Sequence, residues 1–315
     1  MTTAIYAHPA CLDHRPGRHH PERPSRIAAV LDGLKDAGIA GLKRREAPEI
    51  DPALLQLVHP GALIDHVLAP MRDDERRWID GDTTMSAGSA QAALRAAGAV
   101  CAAVDAVMAG DIDNAFCAVR PPGHHAEPGR AMGFCLFNNV AVGALHAREK
   151  HGIGRVAVID FDVHHGNGTQ AAFESDGDLF YASTHQWPLY PGTGAAGETG
   201  VGNICNVPLA AGSGSAEFRQ AMTEAVLPAL EAFRPDLILL SAGFDAHEDD
   251  PLAGLKFRTE DYGWVTARLV EMAAGLCDGR LVSALEGGYD LQALGESVAA
   301  HVDALTGAPA GAEPA

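Results

Sequence analysis

Val156-Ala-Val-Ile-Asp160-Phe-Asp-Val-His-His-Gly-Asn-Gly168 decides how this chain folds. Its first four residues form a short apolar run of the kind found in strands buried on both faces of a parallel sheet. Two carboxylates and two imidazoles follow just where that run must end. In open α/β sheets ligands gather beyond the carboxyl ends of the strands, so this composition points to a hydrolytic metal site at a strand tip. Asp162 and His164 are two residues apart, so their side chains leave on the same side and both reach one ion.

Similar runs recur at Ala4 to Tyr6, Ala115 to Val119, Leu179 to Ala182, Leu237 to Leu240 and Leu281 to Leu285. Between several of them lie stretches with helical spacing: Ser25 to Ala37, Gly88 to Met108, Asn138 to Lys150, Ala216 to Phe233 and Thr259 to Cys277. Strand and helix alternate, which predicts a three-layer α/β/α fold. Polar residues cluster after the runs: Arg120-Pro-Pro-Gly-His124-His125, Ser183-Thr-His185, Ser241-Ala-Gly-Phe-Asp245 and Glu286-Gly-Gly-Tyr289. Residues without a common role would scatter over both strand ends and over helix faces; here they converge on one edge of the sheet.

The 315 residues are 47% hydrophobic, enough for a sizeable core, and no Pro/Gly/Ser-rich linker or long repeat divides them. We expect a single domain over residues 1–305, followed by a disordered tail, Thr306 to Ala315, without a large apolar residue. The net charge of −18 and the lack of a basic block argue against binding to nucleic acid backbones. The six cysteines are scattered without a Cys-x-x-Cys pair and read as reduced core thiols. No signal peptide opens the chain, and no apolar run approaches the roughly 18 residues that span a bilayer. A cytoplasmic protein without a membrane partner is expected.

The natural ligand trio is Asp162, His164 and Asp245, which leaves a position open for water on Zn²⁺, with Fe²⁺, Co²⁺ or Mn²⁺ also compatible with two carboxylates and one imidazole. His124 and His125 suit acid–base work better than ligation, because a fully ligated ion has no place for a water. His19 and His20 have no partner in the sequence and read as structural or rim residues.

These motifs resemble the zinc-dependent histone deacetylase superfamily, which includes acetylpolyamine amidohydrolases. The resemblance runs from His20-Pro-Glu-Arg-Pro24 through Arg120-Pro-Pro-Gly-His-His-Ala126, Gly133-Phe-Cys-Leu-Phe-Asn-Asn139, Asp160 to Thr169 and Ser241 to Asp245, ending at Leu285-Glu-Gly-Gly-Tyr289. It implies the arginase-deacetylase fold, a predominantly parallel eight-stranded sheet between helices. It further implies that Asp162, His164 and Asp245 hold Zn²⁺ and that His125 is the general base. His124, held by Asp160, is then mainly electrostatic, and Tyr289 donates a hydrogen bond to the developing oxyanion. Asn167 stands where some relatives carry Asp behind the second histidine, similar to the class II branch, and an amide cannot supply that carboxylate's charge.

Gly287 and Gly288 would let the Tyr289 loop close over substrate. By the same resemblance Phe134 and Tyr190 line a narrow channel and the Gly133 carbonyl receives the substrate amide. The resemblance also implies a K⁺ site on Asp160, Asp162, His164, Ser183 and Thr184. Leu252 falls where polyamine-selective relatives carry Glu, which favours acyl-lysine in peptides or proteins over acetylpolyamines. Glu22, Asp82 or Glu127 would be the rim carboxylates able to read a cation, and Asp82 is also a candidate for binding a peptide backbone. Two other readings are a non-catalytic acyl-lysine binder, against which the intact ligands, histidines and Tyr289 weigh, and a dinuclear arginase-like hydrolase, which needs more bridging carboxylates than these motifs supply.

Overall fold

The computed structural model describes residues 1–307. Its strands are β1 (Thr3–Ala7), β2 (Lys43–Glu46), β3 (Arg77–Trp78), β4 (Thr84–Met85), β5 (Asn114–Cys117), β6 (Val156–Asp160), β7 (Leu179–Gln186), β8 (Ile204–Leu209), β9 (Leu237–Ala242) and β10 (Leu281–Leu285). Eight of them form one sheet in the order β2-β1-β5-β10-β9-β6-β7-β8, and every pairing in it is parallel. The small β3–β4 ribbon is antiparallel and separate.

Helices cover both faces. The longer ones are α1 (Ser25–Asp36), α2 (Pro52–Leu55), α3 (Gly61–Leu68), α4 (Ser89–Met108), α5 (Asn139–His151), α6 (Asn167–Phe173), α7 (Ser215–Ala221), α8 (Leu227–Phe233), α9 (Thr259–Leu276) and α10 (Leu291–Leu305). On one face Phe116, Ile159, Phe161 and Leu240 pack with residues of α1, α8, α9 and α10 such as Val30, Leu230, Leu269 and Val298. On the other, Tyr6, Val158 and Leu239 pack with Val100 and Val104 of α4 and Val140 of α5. This is the three-layer fold expected. The inner strands are buried along their whole length, and so their sequences read as mostly apolar runs, with polar residues gathering towards the tips of β6, β7 and β9.

Three expectations need correction. The two edge strands were not visible as runs: β2 is Lys-Arg-Arg-Glu and largely exposed, and β8 contains Pro208. Charge and proline are how sheet edges avoid pairing with other chains, so edges lose the apolar signature. The continuous helix expected over Ala216 to Phe233 is broken by a π-helical turn at Met222–Val226. Pro228 has no N–H to give the preceding turn, and the ladder widens to accommodate it. Finally, one helix among the described residues, α4, is long and apolar enough to cross a membrane by length and composition, with 72% of its 18-residue apolar window buried inside the protein. Its apolarity serves two-sided packing between the sheet and neighbouring helices. Of the expected tail, Thr306 caps α10 through its N–H to the carbonyls of Val302 and Asp303, and Gly307 N donates to the Ala304 carbonyl; residues 308–315 lie outside the described residues.

Sheet order positions the site. From β6 the chain steps outward through β7 to β8, then returns to place β9 and β10 on the opposite side of β6. The order reverses between β6 and β9, the place where open α/β sheets bind ligands.

Candidate metal centre and cavity

Asp162 and His164 follow β6, and Asp245 follows β9, on the two sides of that reversal. Backbone N–H groups fix each carboxylate. Val163 N donates to Asp245 Oδ1 at 2.9 Å, His164 N to Asp162 Oδ1 at 2.9 Å, and Gly287 N to Asp162 Oδ2 at 2.8 Å. His164 Nδ1 then lies 3.1 Å from Asp162 Oδ1 and 3.2 Å from Asp245 Oδ2, with both carboxylates buried. Asp245 Oδ2 receives no well-aligned hydrogen bond; its close neighbour among the described residues is His164 Nδ1. A buried carboxylate oxygen without an aligned donor is costly unless positive charge meets it.

Spacing supports the same fit. Ligand atoms about 2.0–2.2 Å from a tetrahedral ion stand roughly 3.3 Å apart, close to the separations here. A second group, Asp105, His146 and His151, fails this comparison. Both imidazole Nε2 atoms sit on Asp105 Oδ1, at 2.8 and 2.7 Å, and Lys150 Nζ takes Oδ2 at 2.8 Å. That cluster is a hydrogen-bonded staple between α4 and α5.

The electrostatics of the trio ask for a cation. Burial opposes an imidazolium at His164, yet the adjoining carboxylates of Asp162 and Asp245 push its pKa up to about 10. Burial and the charge of Asp162 raise Asp245, whereas Asp162, despite burial, is held below the usual carboxylate range by His124 and His164. Two carboxylates this close draw protons onto neighbouring histidines unless a metal supplies the charge.

The histidine pair rests on the loop after β5. Glu286 Oε2 accepts from Gly123 N at 2.6 Å and His124 N at 3.1 Å, fixing that loop to the end of β10. His124 Nδ1 meets Asp160 Oδ2 at 2.9 Å, an oxygen that also accepts from Tyr181 Oη at 3.0 Å. Burial disfavours charge on His124, but Asp160 and Asp162 outweigh it and push its pKa up to about 10; a bound divalent ion would oppose that shift. His125, 4.0 Å from His124 between ring centroids, behaves oppositely. Burial and the nearby His124 and His164 charges hold it well below the ordinary histidine value, so it stays neutral. Its Nδ1 is 2.8 Å from Asn167 Oδ1.

Tyr289 sits on a loop pinned from several sides. Arg26 Nε donates to the Gly288 carbonyl at 2.6 Å and Nη2 to the Glu286 carbonyl at 2.5 Å, and its guanidinium lies 4.9 Å from the Tyr289 ring centre. Asp250 Oδ2 accepts from Tyr289 N at 2.7 Å. Burial, and then the charge of Asp245, push the Asp250 carboxyl up to about 7. Burial raises the Tyr289 hydroxyl well above its ordinary value despite Arg26, which keeps it a donor. The expected hinge role of Gly287 has a different physical basis here: a Cβ would overlap the carboxylates of Asp245 and Asp162. Close approach, with Gly287 N held on Asp162, explains that glycine. Gly288 is in the left-handed region at φ 122°.

A cavity of about 240 Å³ opens above the trio, lined among others by His124, His125, Gly133, Phe134, Tyr190 and Tyr289. Phe134 takes a left-handed backbone (φ 67°), held by its N–H to Thr83 Oγ1 at 3.0 Å, and packs edge-on against Tyr289. Tyr190 faces His125 and His164 and is 37% exposed, marking the mouth. Gly133 shares the wall, its carbonyl met among the described residues by the weak Cys135 thiol donor at 3.3 Å. Leu252 and Asp82 also line the cavity, as do Leu189 and Pro122, which the sequence reading missed. His20 bridges the rim: Nε2 meets the Asp82 carbonyl at 2.9 Å, and the ring abuts Phe134 at 4.6 Å. His19 is exposed beside it.

Glu22 is not a rim carboxylate. It is fully buried among Arg26, Arg120 and His14, and its carboxylate cannot meet a substrate. Glu127 is half-buried and accepts from Asn167. Asp160 and Ser183 are side by side in register, with Thr184 next to them and both β7 residues buried. Arg26, Asp250 and Glu286 are the support residues sequence reading did not single out. Glu286 stood out only as a charge between an apolar strand and two glycines, whereas Arg26 and Asp250 lie in charged stretches that give no such contrast.

Residues 20–305 match the histone deacetylase domain model. The chain belongs to the histone deacetylase family. It is 43% identical over 311 residues to "Histone deacetylase 10, chloroplastic" of Oryza sativa subsp. japonica, covering 92% of this chain and 70% of that one. To the "Histone deacetylase-like amidohydrolase" of Pseudomonas aeruginosa it is 40% identical over 314 residues, covering 91% of this chain and 81% of that one. The crystal structure of the HDA15 HD domain superposes with a TM-score of 0.92 at 38% identity, covering 97% of this chain and 88% of that one. The all-parallel eight-stranded sheet is therefore the arginase-deacetylase fold. As a histone deacetylase family member the chain is a hydrolytic deacetylase, acting on acetylated substrates.

Proposed function

We propose that this family member removes acetyl groups from the side-chain amine of lysine in peptides or proteins, as one catalytic domain over residues 1–305 loaded with one Zn²⁺. The observation that carries this reading is the trio Asp162, His164 and Asp245, whose Asp245 Oδ2 lacks an aligned hydrogen bond, at the floor of a slim cavity walled by a neutral imidazole and a protonated phenol. An ion held there supplies a polarised acyl carbonyl and a water of lowered pKa.

The protein's own groups do the rest. His125, neutral through burial and bonded at Nδ1 to Asn167, takes the water's proton on Nε2 and later gives it to the leaving amine. His124, braced by Asp160, places positive charge beside the reacting carbon. Tyr289 donates to the oxygen that becomes negative as that carbon turns tetrahedral. Phe134 and Tyr190 confine the methylene arm, and the Gly133 carbonyl accepts the amide N–H. A K⁺ on Asp160, Asp162, His164, Ser183 and Thr184 would stiffen the strand tips beneath the trio.

Lysine is favoured because Leu252, at the cavity wall, offers a substrate ammonium no ion pair. Asp82, also at that wall, supports a second reading, an acetylpolyamine deacetylase. A comparison of kcat/KM on an acetyl-lysine peptide and on N8-acetylspermidine separates them. We expect at least about tenfold preference for the peptide, about 1.4 kcal/mol in the transition state, and the opposite preference would assign the polyamine role.

Tyr289→Phe tests the mechanism. It should lower kcat by about 10² to 10³ with KM little changed, since it removes a donor used only in the transition state. Equal loss in KM at constant kcat would place Tyr289 in ground-state binding instead.

A further inference from the structure

An asparagine beside a histidine leaves the histidine's tautomer open. Its amide can present oxygen to an Nδ1–H, or its NH₂ to a bare Nδ1, and each arrangement makes one good hydrogen bond. Only the first leaves Nε2 unprotonated and able to act as a base. The structure closes this choice through a residue that the reaction as described above does not use.

Asn167 is buried, and its Nδ2 is 2.8 Å from Glu127 Oε1, with the weak acceptor Met132 Sδ 3.4 Å away. A carboxylate offers only acceptors, so it takes the NH₂ end of the amide. The amide oxygen must then face His125, 2.8 Å from Nδ1. Nδ1 therefore carries the proton and Nε2 the lone pair. Glu127 is itself held by a closed turn, with its N–H on the Arg130 carbonyl at 2.9 Å and Arg130 N–H on its own carbonyl at 3.2 Å. The chain Glu127 to Asn167 to His125 also returns a negative charge to the position where Asn167 lacks one, set back by the width of one amide.

We infer that Glu127 is a positioning residue that fixes the base tautomer of His125 by clamping the Asn167 amide. This rests on His125 being the base, as proposed above. Glu127 touches no substrate in this scheme, and it acts through orientation alone.

The test is a double-variant cycle on the metal-loaded full chain with Glu127→Gln, Asn167→Asp, the pair together, and His125→Ala as control, reading kcat and KM separately and checking metal content and thermal midpoint for each. Gln keeps the volume of Glu127 but can turn either end toward Asn167. Glu127→Gln should lower kcat about 10- to 100-fold, the usual effect of losing an outer partner, with KM unchanged. In the Asn167→Asp background a carboxylate accepts from Nδ1 directly and repels Glu127, so the same change should leave kcat unchanged or raise it, a non-additivity that a structural role would not produce. Equal losses in both backgrounds, or wild-type kcat for Glu127→Gln, would overturn the inference. If His125→Ala is inactive while Glu127→Gln is unaffected, only the clamp is wrong. Wild-type activity of His125→Ala would remove the base assignment and the clamp together.

Discussion

Asp245→Asn should strip the protein of its metal and of deacetylase activity while leaving the fold intact. Asn retains the volume and an Oδ1 to accept from Val163 N, so the turn after β6 keeps its anchor. It removes the negative charge at the oxygen that receives no aligned hydrogen bond and lies 3.2 Å from His164 Nδ1. With one carboxylate and one imidazole left, affinity should fall by more than the roughly 10- to 100-fold typical of changes behind the ligands. Metal content after dialysis against a competing chelator, together with far-ultraviolet circular dichroism, checks both halves. A variant that keeps a full complement of metal would remove Asp245 from the ligand set.

Glu22→Gln should destabilise the fold strongly although it changes no volume. Glu22 lies between two buried guanidinium groups and His14: Arg26 Nη1 is at 3.1 Å, Arg120 Nη2 at 2.6 Å and His14 Nε2 at 3.2 Å. Neutralising it strands two buried positive charges, which costs about 3–5 kcal/mol. The site would feel this too, because Arg26 holds the Gly288 and Glu286 carbonyls beneath Tyr289. Burial alone would raise the Glu22 carboxyl, but Arg120 and His14 hold it well below its ordinary value of 4.5.

A depressed folded pKa means that this stabilisation is complete above the unfolded value and is lost as pH falls through the folded one. The stability gap between wild type and variant should therefore be constant near neutrality and shrink below about pH 4.5, as the wild-type carboxylate takes up a proton. Denaturant midpoints at several pH values measure it. A gap under about 1 kcal/mol, or one independent of pH, would contradict this account.

Much of this was legible because the chemistry sits at the ends of buried strands. Asp160, Asp162, His164, His124, His125, Asp245 and Tyr289 all follow apolar runs, and the sheet brings them to one edge. The edge strands β2 and β8 were not legible, since an edge has solvent on one side and tolerates charge or proline there. Nor were the residues that aim the site. Arg26 reaches carbonyls 260 and 262 residues away in the chain. Backbone acceptors carry no side-chain signature, so no spacing in the sequence reveals such a bond. Glu22 was misplaced for the same reason: a carboxylate in a Pro- and Arg-rich loop looks solvated until the fold surrounds it with guanidinium groups. Gly287 looked like a hinge because sequence shows that a side chain is missing but not which carboxylates fill the space.

The most direct test of the central claim is acetate release from an acetyl-lysine peptide during titration of the chelator-stripped chain with Zn²⁺. The account predicts no turnover without metal and a rate that rises with added ion to a plateau at one equivalent per chain. Turnover in the stripped protein, or a plateau only at two equivalents, would contradict a single ion held by Asp162, His164 and Asp245.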